Sequence, residues 1–292
     1  AGRYLCEALG NRTQSILGLS LNYNTLDSRL RPTRGRVATL GVDFAGLGGS
    51  TRYLRGRVNA AQYFPLGSGF IGSLSVEGGY IKGLRDRGPG VSDVLLTDRF
   101  FLGESQMRGF DIRGVGPRVV RRFYTEDEDG DLILNDLTDE RNQDDALGGT
   151  AYYLGRAELE IPLGSGVREL GLRPSIFVDV GAVFGIDAPV LVNSPPPDGL
   201  FIPQRNAEGL PLFTQINNAT LTNGQCIGTP ALVTNPINPN PGCLASPNNT
   251  AVGTQLPPFL EEFVGDSPSP RVSIGVGFNW NSPFGPFRID IA

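Results

Sequence analysis

Histidine is absent from this chain of 292 residues, and cysteine, methionine and tryptophan are scarce, with three, one and one residues. Without an imidazole the chain cannot build a histidine-ligated zinc site or a Ser-His or Cys-His nucleophile. Most hydrolase mechanisms are therefore excluded.

The acidic stretch 127–131 lacks the glycine and glutamate positions of a calcium loop, and no glycine-rich phosphate loop occurs. We therefore expect neither a metal nor a cofactor.

Long apolar runs are missing as well. No window approaches the ~18 consecutive apolar residues that a membrane-spanning helix needs. A membrane-spanning strand needs only ~10 residues of alternating polarity. The 40 glycines and 23 prolines fit short strands and long turns better than helices. These features predict an all-β protein.

An excess of basic charge is also lacking. The chain has 25 basic and 30 acidic residues and a net charge of -5, so nucleic acid is not expected as a partner. The acidic residues crowd into positions 126–145, which we interpret as a solvated loop.

Apolar and polar side chains alternate with a period of two in several segments. Leu17, Leu19 and Leu21 lie on one face of the first segment, with glycine, serine and asparagine on the other. This period is typical of strands with one apolar face. We expect about eight strands, the weakest near Leu95 to Leu102. The segments are 15–26, 36–46, 52–64, 70–80, 95–102, 151–161, 173–185 and a closing pair of strands within 271–292.

Alternation alone fits either a soluble sandwich or a membrane barrel. Two features favour an antiparallel transmembrane barrel. Short turns alternate with the two long stretches 103–150 and 187–268, as periplasmic turns alternate with outer loops. Aromatic residues also stand at strand ends, as they do in interfacial girdles. These aromatics are Tyr63, Phe64, Tyr80, Phe184, Trp280 and Phe284.

One motif in the first long stretch resembles the inward-folded loop of the BamA family of outer-membrane assembly factors. Residues 103–118 read G-E-S-Q-M-R-G-F-D-I-R-G-V-G-P-R. The family has Val or Leu more often at Met107 and a second Gly at Glu104. Segments 144–163, 177–184 and 271–292 resemble later parts of the same barrel, in the family's order. The matching motif residues are Met107, Arg108, Gly109, Phe110, Gly116, Pro117 and Arg118.

The resemblance implies that residues 1–292 form the later part of a barrel of roughly sixteen strands, with 103–150 folded inward and 187–268 extracellular. The chain starts at Ala1 without a methionine and is expected to be a cut piece. The first strands, the final strand and the periplasmic POTRA domains are expected to lie outside it.

The implied function is the assembly and insertion of outer-membrane β-barrel proteins, without enzymatic activity, in the Gram-negative outer membrane. The implied partners are nascent outer-membrane proteins, the lipoproteins of the assembly machinery, periplasmic chaperones and the lipid bilayer with its lipopolysaccharide. The alternative is a related pore, either a TamA-type translocation factor or a two-partner secretion translocator, since the loop motif is shared across these proteins.

A buried guanidinium needs carboxylates to pair with it. Asp179 and Glu160 both fall on the polar faces of their strands. We predict that Arg108 pairs first with Asp179 and second with Glu160. Gly109 is expected to allow close backbone approach, and Phe110 to pack against the barrel wall.

Cys226 and Cys243 share a stretch rich in proline and asparagine that is typical of an exposed loop. A disulfide between them is predicted, which implies an oxidising compartment. Two free thiols are the alternative. Cys6 is left without a partner in either case.

Overall fold

The computed structural model describes residues 11–29, 31–88, 91–163, 172–223, 225–234, 251–282 and 285–292. Its secondary structure is almost entirely antiparallel β. Within these residues no helix has the length and apolar character needed to cross a membrane. The strands are β1 Gln14–Asn24, β2 Gly35–Gly49, β3 Tyr53–Gly67, β4 Phe70–Gly83, β5 Arg118–Glu126, β6 Leu132–Leu134, β7 Gln143–Ala146, β8 Ala151–Glu160, β9 Leu172–Phe184, β10 Leu200–Pro203, β11 Phe213–Thr222, β12 Gln225–Val233, β13 Gly253–Leu256, β14 Phe259–Val264, β15 Arg271–Ser282 and β16 Gly285–Ile291.

Eight of these strands form one antiparallel sheet in the order β1-β2-β3-β4-β8-β9-β15-β16. Following the chain, each of these eight strands pairs with the next of the eight, as in an up-and-down barrel. β1 and β16 lie at the two ends, so the sheet of the described residues is open, as expected for part of a barrel. The predicted all-β antiparallel fold is confirmed.

The sheet has one apolar face whose side chains are exposed, which we call the outer face. Leu19 is 67% exposed, Val58 46% and Ile274 69%. The register brings apolar residues opposite each other on this face, with Leu19 across from Val42 and Leu40 across from Val58. A continuous exposed apolar face of this kind is unfavourable in water and suits contact with lipid.

The core lies against the opposite, inner face. Ala45, Tyr53 and Ile81 of the sheet pack there with Val94 of the segment that follows β4. A second cluster joins sheet residues to the motif loop and is described below. The chain that follows β4 therefore covers part of the inner face and packs against apolar side chains of the sheet.

The predicted strand near Leu95 to Leu102 is wrong. Leu96–Asp98 is a single 3-10 turn, and the rest makes only isolated bridges, between Phe100 and Gly149 and between Leu102 and Val115. The apolar run is present because Leu95 and Leu102 are buried. A short buried run does not by itself distinguish a strand from a packed irregular segment.

The two long stretches contain more regular structure than expected. β5, β6 and β7 lie within 103–150, and β10 to β14 lie within 187–268. The chain divides into two compact units. The first contains residues 1–120, 144–191 and 262–292 and includes the large sheet; the second contains residues 121–143 and 192–261. Within the second unit, β10 pairs with β13, β11 with β12, and the end of β5 with β6.

Candidate functional site

The motif loop closes on itself by backbone hydrogen bonds. The N–H of Met107 donates to the carbonyl of Gly103 at 2.8 Å, and that of Gly114 to Asp111 at 2.7 Å. The N–H of Val115 donates to the carbonyl of Leu102 at 3.0 Å, which joins the two ends of the loop. The loop is therefore a compact, internally bonded turn, and its side chains have fixed directions.

A cluster of apolar side chains holds this loop on the inner face of the sheet. Met107 is 0% exposed and packs with Leu102, Val115, Leu154 of β8 and Val183 of β9. Half-buried Phe110 and Tyr152 pack against the same cluster. An unbranched thioether suits the irregular space between a loop and a strand pair.

Arg108 follows Met107 of this cluster and extends into the polar part of the inner face. Its Nε and Nη2 donate to the two carboxylate oxygens of Asp179 at 2.8 and 2.6 Å, a bidentate pair, and its backbone N–H lies 3.3 Å from the same carboxylate. The guanidinium also lies over the ring of Phe177, 3.4 Å from the centroid. Asp179 is 0% exposed, so its charge is compensated almost entirely by this one arginine.

The second carboxylate that binds Arg108 is Glu158, at 3.2 Å from Nη1, and the prediction of Glu160 is wrong. Glu160 instead pairs with Arg173 at 3.2 Å. Both glutamates are on the same face of β8, two residues apart, which is about 6.6 Å along a strand. The choice between them depends on the register of β8 against β9, which face alternation does not determine.

Two further residues of this cluster come from β16 and were not predicted. Asp290 lies 3.6 Å from Arg108. Arg288 donates to both oxygens of Glu158, at 2.9 and 3.0 Å, and to Asp290 at 2.7 Å. Their spacing of two places them on one face of the closing strand. That spacing was the signal in the sequence that could have identified them.

The remaining motif residues shape the loop. Gly109 has a φ of 78°, and a β-carbon there would lie 2.9 Å from the Ser273 hydroxyl oxygen. Gly116 has a φ of 118°, and its β-carbon would meet Val183 at 2.8 Å. The backbone therefore approaches the sheet wall at two glycines that no other residue could replace without movement.

The motif ends at a turn into β5. Pro117 is buried, and its carbonyl accepts a hydrogen bond from Leu147 at 2.8 Å. Arg118 forms an ion pair with Asp144 and donates to the carbonyl of Arg113 at 3.0 Å. These contacts fix where the loop leaves the inner face.

Cys226 lies in β12, but its side chain and all of Cys243 and Cys6 fall outside the described residues. The disulfide stays a prediction. Among the described residues no group of three or more acidic, cysteine or histidine side chains is arranged to hold a metal ion.

Comparison with known proteins places these features in a family. The model of the Omp85 superfamily domain matches residues 3–292. The outer membrane protein assembly factor BamA of Neorickettsia risticii is 28% identical over 97% of this chain and 25% of the relative. The mouse sorting and assembly machinery component 50 homolog is 24% identical over 53% of the chain and 27% of the relative.

The fold matches as well. The crystal structure of BamA from Haemophilus ducreyi lacking POTRA domains 1-3 superposes with a TM-score of 0.53 at 19% identity, covering 94% of this chain and 38% of that one. The chain spans about a quarter of the length of the curated relatives named above. The resemblance to a BamA-type protein is confirmed, and the BamA relatives and the Omp85 family indicate the bacterial outer membrane as the location. The chain belongs to the Omp85 superfamily.

Proposed function

We propose that the protein containing this chain inserts and assembles β-barrel proteins in the outer membrane, as the central subunit of the barrel assembly machinery. The observation that carries the proposal is the alignment with an assembly factor over 97% of the chain. That alignment includes the sheet, the motif loop and the closing strands together.

Such a role needs no catalytic group and no nucleotide. An unfolded barrel protein gains free energy by burying apolar side chains in lipid and by saturating its backbone hydrogen bonds in a closed sheet. The assembly factor has only to lower the barrier between the unfolded and inserted states. We therefore propose a non-enzymatic protein, whose substrates are unfolded outer-membrane proteins and whose partners include lipoproteins and periplasmic chaperones.

Within this role we assign to Arg108 the task of holding the motif loop against the inner wall. The loop is expected to fold inward within 103–150, and 187–268 to face the outside. The assignment is supported by the bidentate pair with Asp179, the contact with Glu158 and the ring of Phe177 beneath the guanidinium. Loss of this anchor is expected to change the shape of the lumen without removing the sheet.

The test is insertion of a radiolabelled outer-membrane protein into lipid vesicles that contain the full-length protein. Folding is followed by the gel mobility of unheated samples. We expect the wild type to accelerate insertion and Arg108→Ala to slow it, whereas Glu160→Gln is expected to act like the wild type. A wild type that conducts ions or translocates polypeptide without accelerating insertion would contradict the proposal and favour the related pore.

A further inference from the structure

Basic side chains gather at the end of the sheet where β1 and β3 begin and β2 and β4 end. A hydrogen bond from Ser50 to Thr13 at 2.9 Å and one from Leu84 to Arg52 at 3.1 Å hold these strand ends together. An open cavity of about 550 Å³ lies here. Four arginines line it, and Lys82 stands on β4 beside them. The five basic residues are Arg12, Arg52, Lys82, Arg85 and Arg87.

This basic cluster borders the apolar outer face. Leu54 and Leu84 are 46% and 48% exposed. Arg52 directly precedes β3 and is two residues from Leu54 along the chain, and Lys82 is directly opposite Leu54 in the register. Both basic side chains are exposed. Cationic side chains thus follow immediately after the apolar band, as they do where a membrane surface meets water.

The acidic residues of the cavity do not cancel this charge. Asp86 accepts a hydrogen bond from the N–H of Gly88 at 2.7 Å, and Asp93 accepts one from the N–H of Arg87 at 3.2 Å. Both carboxylates thus stabilise the turn that carries the arginines. Within the described residues neither Arg52 nor Arg85 forms an ion pair. The residues that line the cavity include four arginines and two aspartates, so the formal charge of this lining is positive in a chain with a net charge of -5.

We propose that this cavity binds the phosphate groups of membrane-lipid headgroups. Guanidinium groups bind phosphate oxygens through paired N–H donors, and a cluster of them suits an anion with several oxygens. The exposed leucines beside the cluster supply the surface that the acyl chains of the same lipid would cover. A free phosphate ion would use only the arginines, whereas a lipid uses both surfaces. This site is independent of the assembly role proposed above.

The test compares three probes on the full-length protein in a neutral detergent: phosphatidic acid, diacylglycerol with the same chains, and inorganic phosphate. Native mass spectrometry gives the lipid-bound fraction. We expect saturable binding of phosphatidic acid that is weakened about fivefold in the double variant Arg52→Gln, Arg85→Gln. Diacylglycerol is expected to bind weakly to both proteins. The charge-retaining variant Arg52→Lys, Arg85→Lys is expected to stay within roughly twofold of the wild type.

The matched control is Arg29→Gln, Arg34→Gln, which removes two exposed arginines from the opposite end of the same strands. We expect it to bind phosphatidic acid like the wild type. An equal loss in both double variants would mean general charge attraction and would overturn the proposal. Inorganic phosphate displacing the lipid at equal concentration would overturn it too, because the leucine surface would then contribute nothing. Thermal unfolding checks that each variant is folded.

Discussion

Arg108 is held by more groups than a guanidinium needs for neutralisation. Asp179 binds it in bidentate fashion, Glu158 and Asp290 lie 3.2 and 3.6 Å away, and Phe177 lies beneath its plane. Desolvation of a charged group is unfavourable unless all of its partners stay in place. The site therefore behaves as a unit, and removing its central cation leaves the buried Asp179 without compensation.

Arg108→Ala is expected to lower the free energy of unfolding of the full-length protein by about 3 kcal/mol, because a buried carboxylate loses its partner. The measurement is urea-induced unfolding in detergent micelles. Glu160→Gln provides the control, because Glu160 and Arg173 are both about a third exposed, and its expected effect is below about 1 kcal/mol. Equal effects of the two substitutions would show that Arg108 is not a buried anchor.

Gly109 and Gly130 allow a second comparison between single residues. Both have a positive φ, 78° and 86°, but a β-carbon at Gly109 would meet Ser273 at 2.9 Å, whereas one at Gly130 meets no atom within 4 Å. Gly109→Ala is therefore expected to destabilise the protein by about 1 to 3 kcal/mol more than Gly130→Ala. Thermal unfolding of the two variants measures the difference. A larger effect at Gly130 would contradict the crowding at the sheet wall.

At the scale of elements, the second unit repeats the arrangement seen at Arg108. Arg121 of β5 lies over the ring of Phe259, 4.4 Å from its centroid, and pairs with Glu261 of β14 at 2.7 Å. Glu261 is buried and also accepts a hydrogen bond from the N–H of Val192 at 2.8 Å. An aromatic and an acid two residues apart share one face of a strand. Such a pair provides a ring and a carboxylate for an arginine from another segment.

Arg121→Ala is expected to loosen the contact of β5 with β14, because the buried Glu261 would lose its partner at a cost of about 3 kcal/mol. Limited proteolysis with chymotrypsin, which does not depend on arginine, would show faster cleavage within residues 121–143. Arg141→Ala is the control, since Arg141 is 63% exposed and pairs with Asp139, two residues away. Equally faster cleavage in both variants would contradict a specific role of the buried pair of Arg121 and Glu261 in holding this segment.

The turn between β1 and β2 depends on one carboxylate outside the strands. Asp27 accepts hydrogen bonds from the hydroxyl and N–H of Thr33, at 2.5 and 2.9 Å, and these lower its pKa to about 2. A lowered pKa in the folded state means that the turn is fully stabilised above the unfolded pKa of about 4. This stabilisation is lost as the pH falls through about 2.

NMR of the Asp27 carboxyl across pH 1 to 6, a range of about five units around the ordinary value, would measure this pKa directly. Thr33→Val removes the hydroxyl donor and is expected to raise the pKa of Asp27 towards its ordinary value. A pKa near that value in the wild type would contradict the hydrogen-bonded turn.

At the scale of the whole molecule, the two faces of the sheet are expected to meet different solvents. Val58 and Asn59 are neighbours on β3 and both are exposed, but Val58 lies on the apolar outer face and Asn59 on the inner face. Val58→Arg is expected to lower folding stability in lipid vesicles by about 2 to 4 kcal/mol, and Asn59→Arg by less than about 1 kcal/mol. Equal losses of folding stability would contradict the assignment of the outer face to lipid and the inner face to water.

Much of this arrangement could be predicted from the sequence because alternation is local information. The period of two identified the outer face from Leu17 to Ile291, and it placed Asp179 on the inner face. The position of Arg108 beside Asp179 was predicted from that face together with the family resemblance. These inferences need only the direction in which successive side chains point.

The rest depends on contacts between distant parts of the chain. Glu158 and Glu160 are equivalent by face, and only the register against β9 separates them. Asp290 reaches Arg108 because β16 is two strands away from β9 in the sheet, an order that no local pattern specifies. The buried run from Leu95 to Leu102 looked like a strand because burial, not pairing, explains its apolar residues.

The carboxylates around Arg108 come from β8, β9 and β16, and this origin bears on errors of strand sliding. A slip of one residue turns every side chain to the wrong face and is strongly disfavoured in any amphipathic sheet. A slip of two residues preserves both faces, so lipid contact alone does not oppose it. It would, however, move Glu158 about 6.6 Å from the arginine. A slip in one direction would bring Arg156 to the position of Glu158, beside Arg108, and is opposed by the repulsion of like charges, whereas a slip in the other direction would bring Glu160 there. The cluster therefore opposes sliding of β8 against β9 more strongly in one direction than in the other.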